Sequence, residues 1–357
     1  MAESSTQFNL VKITNDVLAT IEREREREII SRRFGLFDRK ETLEQIGELL
    51  GITRERVRQL EKTVLQKLKA SAAQGKLPHI NEVQSTLKQI IGENGDIVRV
   101  SELTSFLTTD NSRLSQAQVS FLAELCPSLV VIEDNDNFYH AVGIKAVHDE
   151  AKIKELVEDI IATVKKIGKQ APIEKVAKEI GKDLGAQHTR ALANVSKQLA
   201  TLNGQWGLIK WPTVNPKNIR DKIYVILKES GKPMHFNDIA NSIKKSDFKR
   251  KDVTTQAIHN ELIKDKRFVL IGRGIYALKE WGYEKGTVAD IITEVLRKAQ
   301  KPLHRDEIIK QVLKSRFVKE TTILLNLQGK PQFKRVAKAT YGLDETNGKQ
   351  LTPAATK

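Results

Sequence analysis

The stretch GITRERVRQLEKTVLQKL, residues 51–68, has the pattern of an amphipathic helix that begins after a glycine. Thr53 is a suitable N-cap, because its hydroxyl can accept a hydrogen bond from a free amide of the first turn. Four apolar side chains recur at helical spacing and predict one buried stripe: Val57, Leu60, Val64 and Leu68. The first two turns are otherwise polar, and most of the charge of this stretch lies there.

The polar face of this helix carries the first group of candidate site residues. With 3.6 residues per turn these side chains point away from the apolar stripe or flank it, and they are Arg54, Glu55, Arg56, Arg58, Gln59 and Lys62. Arginine, glutamine and glutamate pair with base edges in the major groove of DNA, and arginine also contacts phosphates. The alternative is a helix whose charges only face water, and the helix alone does not decide between the two.

The residues before this helix predict two further helices. TLEQIGELLG, residues 42–51, has a threonine cap, apolar residues at helical spacing and a glycine at its end. A helix, a glycine-containing turn and a charged helix form a helix-turn-helix. IEREREREIISRRFGL, residues 21–36, alternates in charge so that like charges lie at i,i+4, and ion pairing therefore cannot be its main support. Its apolar residues are expected to dock it on the other two helices.

Residues 21–70 resemble region 4 of the sigma-70 family of transcription initiation factors, through ERER…RFGL and TLEQIGELLGITRERVRQLE…LQKLK. In that family the second helix of the motif reads the minus-35 promoter element. The resemblance implies that Arg54, Glu55 and Gln59 read bases and that Arg58 contacts phosphate. Only about twenty residues precede the segment, so we expect that the family's core-binding and promoter-melting region is absent. The resemblance therefore implies recognition of a promoter-like sequence without strand opening.

The remaining chain repeats itself with a period of about sixty to seventy residues. KIYVILKESGKPMHFNDIANSIKK, residues 222–245, matches DIITEVLRKAQKPLHRDEIIKQVLK, residues 290–314. Residues 222–245 are followed by a threonine-capped helix and then by FVLIGRGIYAL, residues 268–278. This last stretch predicts a β-hairpin around its two glycines. Helix, short extended turn, two helices and a hairpin is the order of a winged helix, and two earlier segments show weaker versions of it.

We therefore predict a mainly α protein, in which an N-terminal helix-turn-helix is followed by four tandem winged-helix domains with small β-hairpin wings. The predicted boundaries are an N-terminal arm at 1–20, the helix-turn-helix at 21–72, winged helices at 76–148, 150–213, 217–284 and 286–345, and a disordered tail at 346–357. The third and fourth winged helices resemble HARE-type modules, which occur in the delta subunit of bacterial RNA polymerase and in chromatin and restriction proteins. That resemblance rests on the K-P-[ML]-H-x-x-[DE]-I turn and the GRGIYALKEWG wing.

The net charge of +15 is unevenly distributed. Residues 76–150 carry −6, whereas residues 216–285 and 286–357 carry +7 each. The basic excess favours a polyanionic partner for the later segments, and the first winged helix is expected to dock a protein instead. The second group of candidate DNA-binding residues lies on the third helix and wing of the third winged helix: Gln256, His259, Asn260, Lys264 and Arg273. For the fourth, with its basic Lys330, Lys334, Arg335 and Lys338 near the wing, DNA and protein contact stay open.

No motif for catalysis, metal binding or cofactor binding is visible. The seven histidines lack metal-ligand spacing, and GRG lacks the lysine and hydroxyl residue of a phosphate-binding loop. We therefore expect no enzyme activity, no cofactor and no metal. The single Cys126, in an apolar setting, is expected to be a buried structural thiol. No apolar run reaches the length of a membrane span and no secretory signal opens the chain, so a cytoplasmic location in the bacterial cytosol or nucleoid is expected.

Three functions fit these observations. The first, which we favour, is a sequence-specific DNA-binding transcription factor that acts in initiation, with double-stranded DNA and RNA polymerase as partners. The second is an accessory subunit of RNA polymerase similar to the delta subunit. The third is a DNA-targeting subunit of a restriction or modification system, which would need a separate enzyme.

Overall fold

The computed structural model describes residues 8–147, 149–181, 184–248, 252–283, 286–316 and 318–344. It divides into two compact units, Met1–Val214 and Asn215–Lys357. The tail predicted at 346–357 lies outside the described residues.

Four helices open the first unit. They are α1 (Leu10–Ala19), α2 (Glu24–Phe34), α3 (Leu43–Leu50) and α4 (Arg54–Ala73). The last three are the helices expected for the helix-turn-helix. The structure differs from the predicted arm, because α1 buries Leu10, Ile13 and Val17, which recur at helical spacing.

The turn between α3 and α4 sets the direction of the second helix. Gly51 follows α3 with a φ of 63°, in the left-handed region that favours glycine. Thr42 and Thr53 cap the two helices through their side chains. Gly47 permits a close approach, because a Cβ at this position would lie 2.7 Å from the Ile52 carbonyl oxygen. Two glycines therefore hold the short connection of the helix-turn-helix.

Two repeats of one element order follow in the first unit. The first repeat consists of α5 (Ile80–Glu93), β1 (Ile97–Arg99), α6 (Val100–Leu107), α7 (Arg113–Leu125), β2 (Leu129–Ile132) and β3 (Ala141–Ile144). The second repeat consists of α8 (Glu150–Ile167), β4 (Ala171–Pro172), α9 (Ile173–Ile180), α10 (Ala186–Val195), β5 (Leu199–Leu202) and β6 (Gln205–Leu208).

The second unit contains the same order twice. The third repeat consists of α11 (Ile219–Ser230), β7 (Met234–His235), α12 (Phe236–Lys245), α13 (Thr255–Lys264), β8 (Phe268–Gly272) and β9 (Ile275–Leu278). The fourth repeat consists of α14 (Val288–Ala299), β10 (Leu303–His304), α15 (Arg305–Ser315), α16 (Glu320–Gly329), β11 (Phe333–Ala337) and β12 (Thr340–Leu343).

Each repeat forms a small antiparallel sheet of three strands in which the last strand is central. The orders are β1-β3-β2, β4-β6-β5, β7-β9-β8 and β10-β12-β11. The last two strands of each repeat form the hairpin that we call its wing. The predicted fold class is confirmed: the chain is mainly helical, with small three-stranded sheets that fit tandem winged-helix units. The domain boundaries stay predictions.

The helix-turn-helix shares a hydrophobic core with the first repeat. Ile29, packed with Ile46 and Val57, fills a small cluster between its own three helices. Ile30 of α2 and the later turns of the same apolar stripe of α4, with Val64 and Leu68, instead join a larger cluster with α1, α5 and α7. There the rings of Phe34 and Phe121 meet edge to face, with centroids 5.0 Å apart. Continuous apolar packing therefore mounts α4 on the first repeat.

Candidate nucleic-acid interface

The first two turns of α4 present an exposed polar face. The six side chains predicted for this face are all exposed: Arg54, Glu55, Arg56, Arg58, Gln59 and Lys62. Val57, on the opposite side of the helix, is fully buried against α2 and α3. The burial of this residue fixes the rotation of the helix, so the predicted face points away from the core.

Arg54 links the two helices of the helix-turn-helix. Its Nη1 donates a hydrogen bond to Glu44 Oε1 at 2.7 Å. Glu44 lies in the first turn of α3, so the pair closes across the turn. The two side chains are 70% and 60% exposed, and the pair is therefore accessible from the side that would face a ligand.

Glu55 and Arg58 form a two-point ion pair along α4. Arg58 Nε and Nη2 donate to Glu55 Oε2 and Oε1 at 2.9 and 2.7 Å. This hydrogen bonding lowers the pKa of the Glu55 carboxyl and raises the pKa of the Arg58 guanidinium. Gln59 Nε2 adds a longer hydrogen bond of 3.4 Å to Glu55 Oε1. Glu55 is therefore held as a carboxylate, and its hydrogen-bond donors, Arg58 and Gln59, both lie on the following turn of α4.

Arg56 and Lys62 complete the face. Arg56 Nη1 donates to Gln59 Oε1 at 3.4 Å, a weak contact that leaves most donors of the guanidinium accessible to solvent. Among the described residues, Lys62 takes part in no ion pair. This face thus combines three arginines, a lysine, an amide and a carboxylate within three turns of one helix.

Arginines of α2 also contact the other two helices of the motif, and no pattern in the sequence predicted their partners. Arg33 Nε pairs with Glu61 Oε1 of α4 at 3.2 Å, and Arg25 donates to the Leu50 carbonyl oxygen at the end of α3. Both contacts satisfy groups on the two helices of the motif. The alternating charges of α2 therefore connect it to its neighbours, in addition to the apolar docking that was predicted.

The third repeat places most of its candidate residues on an accessible surface. Gln256, Asn260 and Lys264 are exposed on α13, and Gln256 Nε2 donates to Asn260 Oδ1 at 3.2 Å. Arg273 is exposed in the turn between β8 and β9. These four residues thus lie on the third helix and the wing of one repeat.

His259 differs from its neighbours on α13. Its side chain is half-buried, and its ring centroid lies 5.1 Å from that of Phe236 and 6.2 Å from that of Tyr276. These aromatic contacts hold the imidazole against the repeat. The imidazole of His259 is therefore less accessible to a partner than the exposed Gln256, Asn260 and Lys264.

The thiol of Cys126 is buried, as predicted. Burial raises its pKa to about 12, and its Sγ donates to the Leu122 carbonyl oxygen at 3.3 Å. Within the part of the chain that the structure describes, no three or more His, Cys, Asp or Glu side chains come together as a metal site could require. No helix in that part has the length and apolar character needed to cross a membrane.

Comparison with known proteins locates a family likeness at this interface. Residues 23–70 match the family Sigma-70, region 4, and the predicted resemblance of this segment is confirmed. RNA polymerase sigma factor SigA from Bacillus sp is 46% identical over 69 residues, which are 19% of this chain and 18% of that protein. RNA polymerase sigma factor sigB from Arabidopsis thaliana is 52% identical over 46 residues, which are 13% of this chain and 8% of that protein. The chain thus spans less than a fifth of the length of either relative, and the likeness of the later repeats to HARE-type modules stays a prediction.

Proposed function

We propose that this protein is a sequence-specific DNA-binding transcription factor that acts in initiation with RNA polymerase. One observation carries the proposal: the segment that matches sigma-70 region 4 presents Arg54, Glu55, Arg58 and Gln59 on the exposed first turns of α4. The second helix of a helix-turn-helix lies in the major groove, with its N-terminal residues at the base edges. The candidate residues occupy those N-terminal turns.

Each side chain has a distinct role in this proposal. Arg54 donates to guanine O6 and N7, and Gln59 pairs with adenine. Glu55 accepts from a cytosine amino group and penalises other bases, since its carboxylate would otherwise face them unpaired. Arg58 contacts phosphate and anchors the helix without choosing a sequence.

The ion pairs seen without DNA do not oppose these roles. Arg54–Glu44 and Arg58–Glu55 are solvent-exposed pairs, and such pairs contribute little to stability because water screens them. DNA phosphates and base edges can therefore replace the carboxylates as partners of the arginines. In the free protein the same pairs hold the arginine side chains close to the face that they serve.

The proposed role with polymerase rests on the names of the relatives, both of which are RNA polymerase sigma factors. The family model matches residues 23–70, so the proposal includes recognition of a promoter-like sequence.

Selection of binding sites from a random duplex library, with the full chain, tests the proposal. We expect one enriched motif, and we expect the variant Arg54→Ala to lose the base preference at one position of that motif. Co-purification with polymerase, before and after addition of that motif, tests the second part. If no motif is enriched by the full chain either alone or with polymerase, the reading function is wrong and an accessory role becomes the better explanation.

A further inference from the structure

The third helices of the first two repeats are covered by neighbouring parts of the first unit. Phe121 of α7 is fully buried in the core that this repeat shares with the helix-turn-helix. On α10, Gln187 donates to the Glu93 carbonyl oxygen, and a Cβ on Gly95 would lie 2.9 Å from the Ala191 Cβ. These helices therefore pack against protein along surfaces that a winged helix could otherwise offer to a partner.

The wing of the first repeat is also used within the first unit. Glu133 pairs with Lys40 of the helix-turn-helix at 3.0 Å, and Asp134 pairs with Lys197 of the second repeat at 2.8 Å. Phe138, between the two strands of the wing, is buried with the core of the second repeat. This acidic wing thus joins its two neighbours, and two of its carboxylates, those of Glu133 and Asp134, already have cationic partners.

The wings of the second unit have a different chemistry. In the fourth repeat, β11 exposes every residue after Phe333, and its wing carries Lys334, Arg335 and Lys338. In the third repeat, Arg273 occupies the turn of the wing. None of these four cations forms an ion pair with any residue that the structure describes. A group of exposed cations without carboxylate partners attracts a polyanion.

The third helices of the third and fourth repeats differ in the side chains that they expose. α13 exposes Gln256, Asn260 and Lys264, all of which can hydrogen-bond to DNA. α16 has no basic residue and exposes Leu325 to 68%. The fourth repeat can therefore meet phosphates through its wing, whereas the third repeat can use both its helix and its wing.

A buried arginine connects these two repeats. Arg316, which follows α15, is 8% exposed and donates to the carbonyl oxygen of Leu270 in β8. This contact ties the fourth repeat directly to the wing strand of the third. Both basic wings also lie within one compact unit, Asn215–Lys357.

We infer that the third and fourth repeats form a second site for duplex DNA, which binds phosphates without reading sequence. In the third repeat, Lys264 and Arg273 contact the backbone from α13 and the wing. In the fourth repeat, Lys334, Arg335 and Lys338 do so from the wing alone. This inference does not depend on sequence reading by α4, because the contacts lie in the other unit.

The test is a salt titration of binding by the full chain to a duplex that lacks its preferred motif. In the triple variant Lys334→Gln, Arg335→Gln, Lys338→Gln, the slope of log affinity against log salt should decrease by about 2–3, since each lost phosphate contact removes about 0.9. Affinity should fall on the order of 100-fold at about 0.1 M salt, from the same counterion release. The variant Lys264→Gln, Arg273→Gln should lower the slope by about two units for the same reason.

A matched control removes the same charge from the second repeat. Lys165, Lys166 and Lys169 are exposed there, and their joint change to glutamine should leave the slope unchanged. Unaltered circular dichroism confirms folding of each variant. The same titration on a duplex with the preferred motif separates the two sites: the triple variant should lower the salt slope on both duplexes, whereas Arg54→Ala should reduce the difference in affinity between them. A failure of sequence reading and a failure of the second site are therefore distinguishable.

Two results would overturn the inference. One is a slope of log affinity against log salt that equals the wild-type slope in both the triple and the double variant. The other is stronger competition by single-stranded RNA, or by an acidic protein, than by duplex DNA of equal length, which would assign the basic wings to a different macromolecule.

Discussion

Arg54 at the start of α4 is bonded to Glu44 at the start of α3, with 2.7 Å between Nη1 and Oε1. The guanidinium proposed to read a guanine is thus held by a carboxylate when DNA is absent. A base must compete with that carboxylate, and only a base with two well-placed acceptors matches the two donors of an arginine. We therefore expect Glu44 to act as a specificity filter in the proposed function.

Glu44→Gln should raise affinity for all duplexes and weaken the preference for the selected motif. Glu48→Gln is the matched control, because Glu48 is exposed on the same helix and the structure describes no ion pair for it. Both changes remove one negative charge, so the excess effect of the first reports the release of Arg54. The measurement is the ratio of the affinity for the motif duplex to the affinity for a non-motif duplex. Equal ratios for the two variants would contradict the proposed role of Glu44.

Arg54→Ala and Arg58→Ala should separate base reading from phosphate binding. The first should cost about 1–3 kcal/mol of binding free energy on the preferred motif and flatten one position of it. The second should weaken all sequences alike and lower the salt slope by about one unit. Affinities for the motif and its single-base variants at several salt concentrations measure both. A helix that only faces water would show little change in either variant.

Gly47→Ala should damage the helix-turn-helix more than Gly51→Ala does. The second change places a side chain in left-handed backbone with no atom within 4 Å, and should cost about 1 kcal/mol of unfolding free energy. The first brings a Cβ within 2.7 Å of a backbone oxygen, so the two helices must move apart. Urea unfolding and motif affinity of both variants provide the comparison. A larger effect at Gly51 would show that the connection tolerates movement.

Phe121→Ala should destabilise the helix-turn-helix together with the first repeat, because its ring belongs to their common core. Removal of a buried phenylalanine side chain costs about 3–5 kcal/mol. Phe106, which is 56% exposed in the same repeat, supplies the control, and its change to alanine should stay within about 0.5 kcal/mol. Hydrogen exchange at the α4 amides is the readout. If exchange there is unchanged while the first repeat opens, the shared core does not couple the two.

Asp265 gives the second unit an acid-sensitive contact. Arg267 hydrogen-bonds to the Asp265 carboxylate at 2.7 and 3.1 Å and lowers the pKa of that carboxyl below its usual 3.8. The stabilisation is therefore complete above the ordinary pKa and is lost as the pH falls through the lowered value. Unfolding of wild type and Asp265→Asn between pH 7 and pH 2 should show two curves that converge at low pH. A constant difference across this range would exclude the contact as the cause.

The features of the fold that could be predicted from the sequence are those that depend on local periodicity. The burial of Val57 and the exposure of the polar face of α4 follow from helical spacing, and the four wings follow from paired apolar strands around turns. The match to Sigma-70, region 4 confirmed the segment that carries this face. Short-range patterns of this kind need no knowledge of distant residues.

Contacts between distant parts of the chain could not be predicted in this way. His259 was grouped with the candidate DNA-binding residues of α13, and no local pattern predicted that aromatic rings from α12 and β9 hold it against the repeat. The first winged helix was expected to dock a protein, and no local pattern predicted that Glu133 and Asp134 of its wing pair with Lys40 and Lys197. Both outcomes depend on which surfaces meet after folding, and no spacing rule within one element contains that information.

The common core of α2, α4 and α7 has a consequence for protein engineering. A segment that resembles sigma-70 region 4 looks portable, and residues 23–70 could be exchanged on paper for those of another factor. In this chain, however, Phe34 meets Phe121 of the first repeat, so an exchanged segment would need an inner surface shaped to that repeat. Retargeting is therefore simplest by grafting the outward side chains of α4 alone, which leaves the junction intact.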